Sequence, residues 1–238
     1  MEKGKKYALI KDIKEQFKST SRSEHFINIF KAGLASLPIA SAFASLLSDY
    51  IPNSRFKRLE DFAKQVAEDL KRLGDRIETD YITTDEFAYM FEQSFRGVAQ
   101  NIHKEKIEAF RGILLNSAIQ KDIVQEEKEF FLSLVDSISI VHIKILKFMA
   151  FPNEYIHELE LTAQEIRGGF REIFRTIMPE FSNDTSIVEL AFGDLFQKDL
   201  INTDKSIFTT TTASQGLSLV GDRVTDLGRR FIEFCKIP

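Results

Sequence analysis

The stretch Gln125-Glu-Glu-Lys-Glu-Phe-Phe-Leu-Ser-Leu-Val-Asp-Ser-Ile-Ser-Ile-Val-His-Ile-Lys-Ile-Leu-Lys-Phe-Met149 sets the reading of the whole chain. Its apolar residues Phe130, Phe131, Leu134, Val135, Ile138, Val141, Ile145, Leu146 and Met149 recur at helical intervals and wrap most of a helix's circumference. A helix that is apolar nearly all round belongs in an interior, so the pattern predicts one long, almost fully buried central helix. Phe151-Pro152-Asn153 ends it, because the residue before a proline resists helical backbone.

On the N-terminal side the periodicity is also helical. Between Arg55 and Leu73 the residues Phe56, Leu59, Phe62, Val66, Leu70 and Leu73 form one stripe, and Gly74 follows where a C-terminal cap belongs. Thr83-Thr-Asp-Glu86 has the spacing of a capping box ahead of Phe87, Met90, Phe91, Phe95 and Val98. A further helix is expected over Lys104 to Ser117. On the C-terminal side, helical patterns at Thr162 to Ile177 and Thr185 to Leu200 precede a β-prone stretch, Ser206 to Val220, and a short amphipathic helix, Thr225 to Phe234. That order is the order of a winged helix-turn-helix. The expected fold is therefore mainly α. A helical domain over 1–125 is followed by a winged-helix-like domain over 126–238 with a small β-hairpin, entered through the long helix 126–149.

Charge is distributed unevenly along the 238 residues. Residues 1–31 hold eight basic side chains against four acids, whereas from 151 onward nine basic face fourteen acidic. Between them, residues 32–48 run without a charge in a chain that is otherwise 29% charged. Small residues recur there every fourth position, Ser36, Ala40 and Ala44 among them, opposite a bulky row that includes Phe43 and Leu47. Such a surface either lets another helix approach closely in a protein core or packs helices in a membrane. Pro38 and four serines make segment 32–50 a marginal span. Ser36, Ala40, Phe43, Ala44 and Leu47 are the candidate contacts for a partner or a membrane, with the basic head assisting at an anionic surface.

Catalytic patterns are missing from the sequence. It contains no Gly-rich phosphate loop, no cysteine pair and no His-Glu-x-x-His. Glu154-Tyr-Ile-His157 is a single Glu-x-x-His, where a di-iron bundle needs two. His142 reads as a hydrogen-bonded core or boundary histidine, and Cys235, the only cysteine, as a small core filler suited to a reducing cytoplasm. The expectation is a cytoplasmic protein that is not an enzyme and takes neither metal nor cofactor. A winged helix raises the alternative of a DNA-binding regulator, with Lys198, Lys205, Arg223, Arg229 and Arg230 as the candidate phosphate contacts. The candidate recognition helix, however, displays Glu189, Asp194, Gln197 and Lys198, which favours contact with protein.

The order of segments resembles a known family. An apolar Gly/Ala/Pro segment, an Arg-flanked helix, a Glu-Lys-Ile helix, a long apolar helix and the terminal Leu227-Gly-Arg-Arg-Phe-Ile-Glu-Phe-Cys235 resemble bacterial proteins of the abortive-infection alpha type over much of residues 26–235. The resemblance implies a bacterial, non-enzymatic protein of phage defence, and it carries over no catalytic residues.

Overall fold

The computed structural model describes residues 53–78, 80–120, 122–209, 217, 220 and 223–238. The apolar segment with Ser36, Ala40, Phe43, Ala44 and Leu47 lies outside the described residues. Those that are described are mainly helical and divide into two compact units, one up to Asp136 together with Ile237–Pro238, the other Ser137–Lys236.

The first unit contains α1 (Asn53–Leu73), α2 (Asp85–Gln100), α3 (Lys104–Ile119) and α4 (Gln125–Ser137). Helix α1 buries the stripe Leu59, Phe62, Val66, Leu70 and Leu73, and Gly74 leaves the helix at a φ of +49°, in the left-handed region that lets carbonyls of the last turn be capped. Thr84, one residue later than the capping-box spacing implies, is the cap of α2. Its hydroxyl accepts from the Phe87 N–H, while the Thr83 hydroxyl turns back to the Asp80 carbonyl. Helices α1, α2 and α3 pack pairwise against one another. At Gly97 of α2 the buried Phe110 ring of α3 occupies the space a Cβ would need.

Helices α3 and α4 hold each other's ends with lysines. Lys106 of α3 donates to the Asp136 carbonyl in the last turn of α4 (3.0 Å), and Lys128 of α4 donates to the Ser117 carbonyl in the last turn of α3 (3.1 Å). The last carbonyls of a helix have no partner within it and carry its negative dipole end, so a cation is favourable there. Both lysines are buried, and that burial lowers their pKa. The Lys128 ammonium also stands 4.0 Å over the ring of Tyr81, whose hydroxyl donates to Gln125 (2.9 Å).

The second unit contains α5 (Ile140–Ala150), α6 (Pro152–Glu158), α7 (Phe170–Ile177), α8 (Ser186–Gln197) and α9 (Asp226–Phe234). Helix α5 packs against α6, α8 and α9. The core is aromatic. Phe170, Phe174, Phe192 and Phe208 contact one another, and Phe148 joins them through Phe174 at 5.8 Å. Each ring pair contributes about 0.5–1.5 kcal/mol beyond its area burial. An antiparallel bridge pairs Ile201 with Val224, and the Asn202 N–H donates to the Arg223 carbonyl (2.9 Å).

Several expectations need correction. The long helix is two helices. Ser139 is extended (φ −82°, ψ 168°), its hydroxyl lies 2.7 Å from His142 Nδ1, and its N–H donates to the same nitrogen, so the chain starts a new helix there. Ile138 is buried within the break, but Phe130 is 45% exposed. Pro152 does end α5, yet it also begins α6, because a proline at the first helical position gives up an N–H that would have no partner. Of Thr162 to Ile177 only Phe170 onward is α-helical, and the Glu165 carboxylate folds back to accept from the Thr162 N–H and hydroxyl. Ser206 to Thr209, expected to open a strand, belong to the 3₁₀ helix Lys205–Thr209, and 210–216 lie outside the described residues. Among the described residues the only strand-like pairing is the isolated Ile201–Val224 bridge, and a β-hairpin is not shown.

Candidate functional site

Helix α8 is the element that the sequence led us to expect as a recognition helix. The Asp184 carboxylate accepts from the Ser186 N–H at its start (2.9 Å), and this bond keeps the carboxyl pKa below its ordinary value. One side of the helix, Val188, Ala191, Phe192 and Leu195, is buried in the aromatic core. On the other side Ile187 is 54% and Leu190 60% exposed, followed by exposed Asp194 and Gln197 at helical spacing.

A cleft of about 530 Å³ lies along this face, between Ile187 and Leu190 on one side and Asp204, Lys205 and Ser206 on the other. Asp204 accepts from the Ser206 N–H, which holds its carboxyl low as well. Glu189 is neutralised within the unit, since Arg171 donates to it at 3.1 Å and the Thr185 hydroxyl at 2.7 Å. The face is thus apolar, with Asp184 and Asp204 at its edges and Lys205 across the cleft. No lysine or arginine lies within Ser186–Gln197.

The basic candidates are distributed over separate elements. Lys198 is exposed just past the end of α8, and Lys205 lies against α8 beside Gly193. Arg223 is engaged locally, donating to the Thr203 hydroxyl (3.0 Å) with its guanidinium 5.5 Å from the Phe170 ring centre. Arg229 and Arg230 are exposed on α9.

His142 lies between Ser139 and Asp194. Its Nδ1 accepts from Ser139, so the ring proton is placed on Nε2, which points at Asp194 3.4 Å away. The grouping has the composition of a hydrolase triad. Its geometry is that of a helix cap, with the serine at the cap position and the histidine three residues on, where it receives the cap N–H. The Ser-x-x-His spacing was the available signal for the Ser139 contact; nothing in the sequence pointed to Asp194. Glu154 and His157 are both exposed, and Glu154 pairs with Lys236 at 2.7 Å. Among the described residues no group of three His, Cys, Asp or Glu side chains could hold a metal ion. Cys235 is buried, and that burial pushes its thiol pKa up, away from nucleophilic chemistry. Among the described residues no helix is long and apolar enough to cross a membrane. No family model, curated protein or solved structure matches the chain.

Proposed function

We propose that the protein is a non-enzymatic bacterial interaction protein of the phage-defence kind, whose C-terminal unit is a winged-helix variant that contacts protein instead of DNA. The observation that carries this reading is the outward face of α8, with Ile187 and Leu190 more than half exposed and no Lys or Arg within the helix itself. A helix lying in a major groove is flanked by phosphates, and Lys or Arg supplies most of the affinity there. Aspartates at the edges of such a helix oppose that approach. Exposed Ile and Leu beside a cleft suit the apolar centre of a protein interface, where bulky side chains seat in pockets. Membrane association of residues 32–50 on a trigger belongs to the same proposal, in a protein that otherwise resides in the cytoplasm.

Phage challenge of cells expressing the protein tests the reading, with Leu190→Arg compared against Arg229→Glu/Arg230→Glu. Loss of protection with Leu190→Arg alone supports protein contact. Titration with duplex DNA at two salt concentrations tests the alternative, a DNA-binding regulator using Lys198, Lys205, Arg223, Arg229 and Arg230. A log–log salt slope steeper than about −5, meaning more than about five phosphates neutralised, overturns the proposal.

A further inference from the structure

The first unit carries a second cleft, of about 630 Å³, between α1 and α3 beside the Ile102 turn. Two of its lining residues are guanidinium groups fixed by the fold. Arg58 reaches from α1 to the end of α2, where its Nη1 donates to the carbonyls of Val98 (3.2 Å), Ala99 (3.2 Å) and Asn101 (2.6 Å). Arg111 of α3 donates through Nε to the buried Asp69 and through Nη1 to Gln65 (2.8 Å). Both side chains are held in place before any ligand arrives. The Nε and Nη2 of Arg58 and the Nη2 of Arg111 have no protein partner among the described residues.

The remaining lining divides into an apolar floor and a charged rim. Phe62 and Ile107 form the floor, and Ile102, 74% exposed, stands at the edge. Lys57 and Lys104 add two cations at the rim, against the carboxylates of Asp61 and Glu108, and Glu108 is already opposed by Lys104 at 3.5 Å. Four cations against Asp61, Glu108 and the Asp69 carboxylate that pairs with Arg111 leave the cleft with an excess of one positive charge, in a chain whose net charge is −4. Fixed guanidinium donors match the oxygens of a carboxylate or phosphate in a way that a flexible ammonium does not. A floor of Phe and Ile has no use for such an anion unless it is attached to an apolar body. The volume lies within the range of small-molecule sites, about 300–1,000 Å³.

We propose that this cleft binds a small anionic amphiphile, a carboxylate or phosphate head on an acyl-like or aryl body, with the head at Arg58 and Arg111 and the body over Phe62, Ile102 and Ile107. The site is independent of α8 and of the reading built on it. Calorimetric titration of the full chain tests the proposal, using decanoate and decyl phosphate below their micelle concentrations, with decanol and decyltrimethylammonium as controls. The expected result is saturable one-to-one binding of an anionic probe and a higher Tm in its presence, with at least tenfold weaker binding of both controls. Preference between the two anions identifies the head group. Replacing Arg58 or Arg111 risks the fold, because both hold helices together. The diagnostic variant is therefore Lys57→Glu/Lys104→Glu/Ile102→Glu, confined to the rim. It is expected to keep the wild-type Tm without ligand and to weaken anion binding at least tenfold. Absence of saturable binding of either anion at millimolar concentration, equal binding of decyltrimethylammonium, or undiminished binding by the rim variant overturns the proposal.

Discussion

Gly228 shows how a single residue can fix a tertiary contact. A Cβ there would stand 2.0 Å from the Leu200 carbonyl oxygen, and that oxygen also accepts from the Thr225 N–H (3.2 Å), so the start of α9 lies directly on the backbone beside the Ile201 bridge. Backbone cannot rotate aside as a side-chain tip can. Gly228→Ala is expected to cost about 3 kcal/mol or more, at the upper end of overpacking effects, and urea denaturation measures it. A loss under about 1 kcal/mol would show that α9 shifts freely on its neighbour. A short terminal helix over Thr225 to Phe234 was legible in the sequence, and Thr225 turns out to be its cap, its hydroxyl accepting from the Gly228 N–H at 2.9 Å. The reason the glycine must be a glycine was not legible, because the obstructing carbonyl lies far away along the chain.

Among the elements, legibility followed local signals. Helix α1 was readable because its stripe and its terminal glycine agree, and α9 because of its amphipathic face. The break between α4 and α5 was not, because both halves are apolar and the periodicity continues through Ile138, which is buried in the break. Only the Ser139–His142 cap marks it, and a polar pair of that kind also occurs on uninterrupted helices. The reciprocal lysine contacts of α3 and α4 escaped the reading altogether, since Lys106 and Lys128 appear in sequence as ordinary solvated charges. They and Tyr81 have a measurable consequence at alkaline pH. Burial raises the Tyr81 pKa from 10.0 to about 12, so the unfolded chain ionises first, and stability is lost as pH rises from about 10 to 12. The lysines act with the opposite sign. Their folded pKa values are lowered from 10.5, so the unfolded state holds more protons just below that value and their penalty is relieved as pH rises towards it. Urea midpoints measured between pH 9 and 12 should therefore fall mainly above pH 10 in the wild type, with a smaller decline in Tyr81→Phe. The same decline in both proteins would show that the phenol is not the group responsible.

For the whole molecule, the division at Asp136 and Ser137 gives each unit its own buried core. Ser137–Lys236, with the aromatic cluster of Phe148, Phe170, Phe174, Phe192 and Phe208, is expected to fold when expressed alone, giving a cooperative thermal transition with near-ultraviolet dichroism. A broad, non-cooperative melt would show that it depends on the rest of the chain. The proposed contact face was less legible than the fold because the exposure of α8 is known only once burial is known; in the sequence, Leu190 was indistinguishable from the core leucines Leu195 and Leu200. The lysine contacts between α3 and α4 bear, finally, on how the protein is made. Asp136, whose carbonyl receives Lys106, is the last residue before the boundary, so on the ribosome the contact can form only once that residue has left the exit tunnel. From that point the first unit has nearly all of its chain and can complete its fold while the second is still being translated.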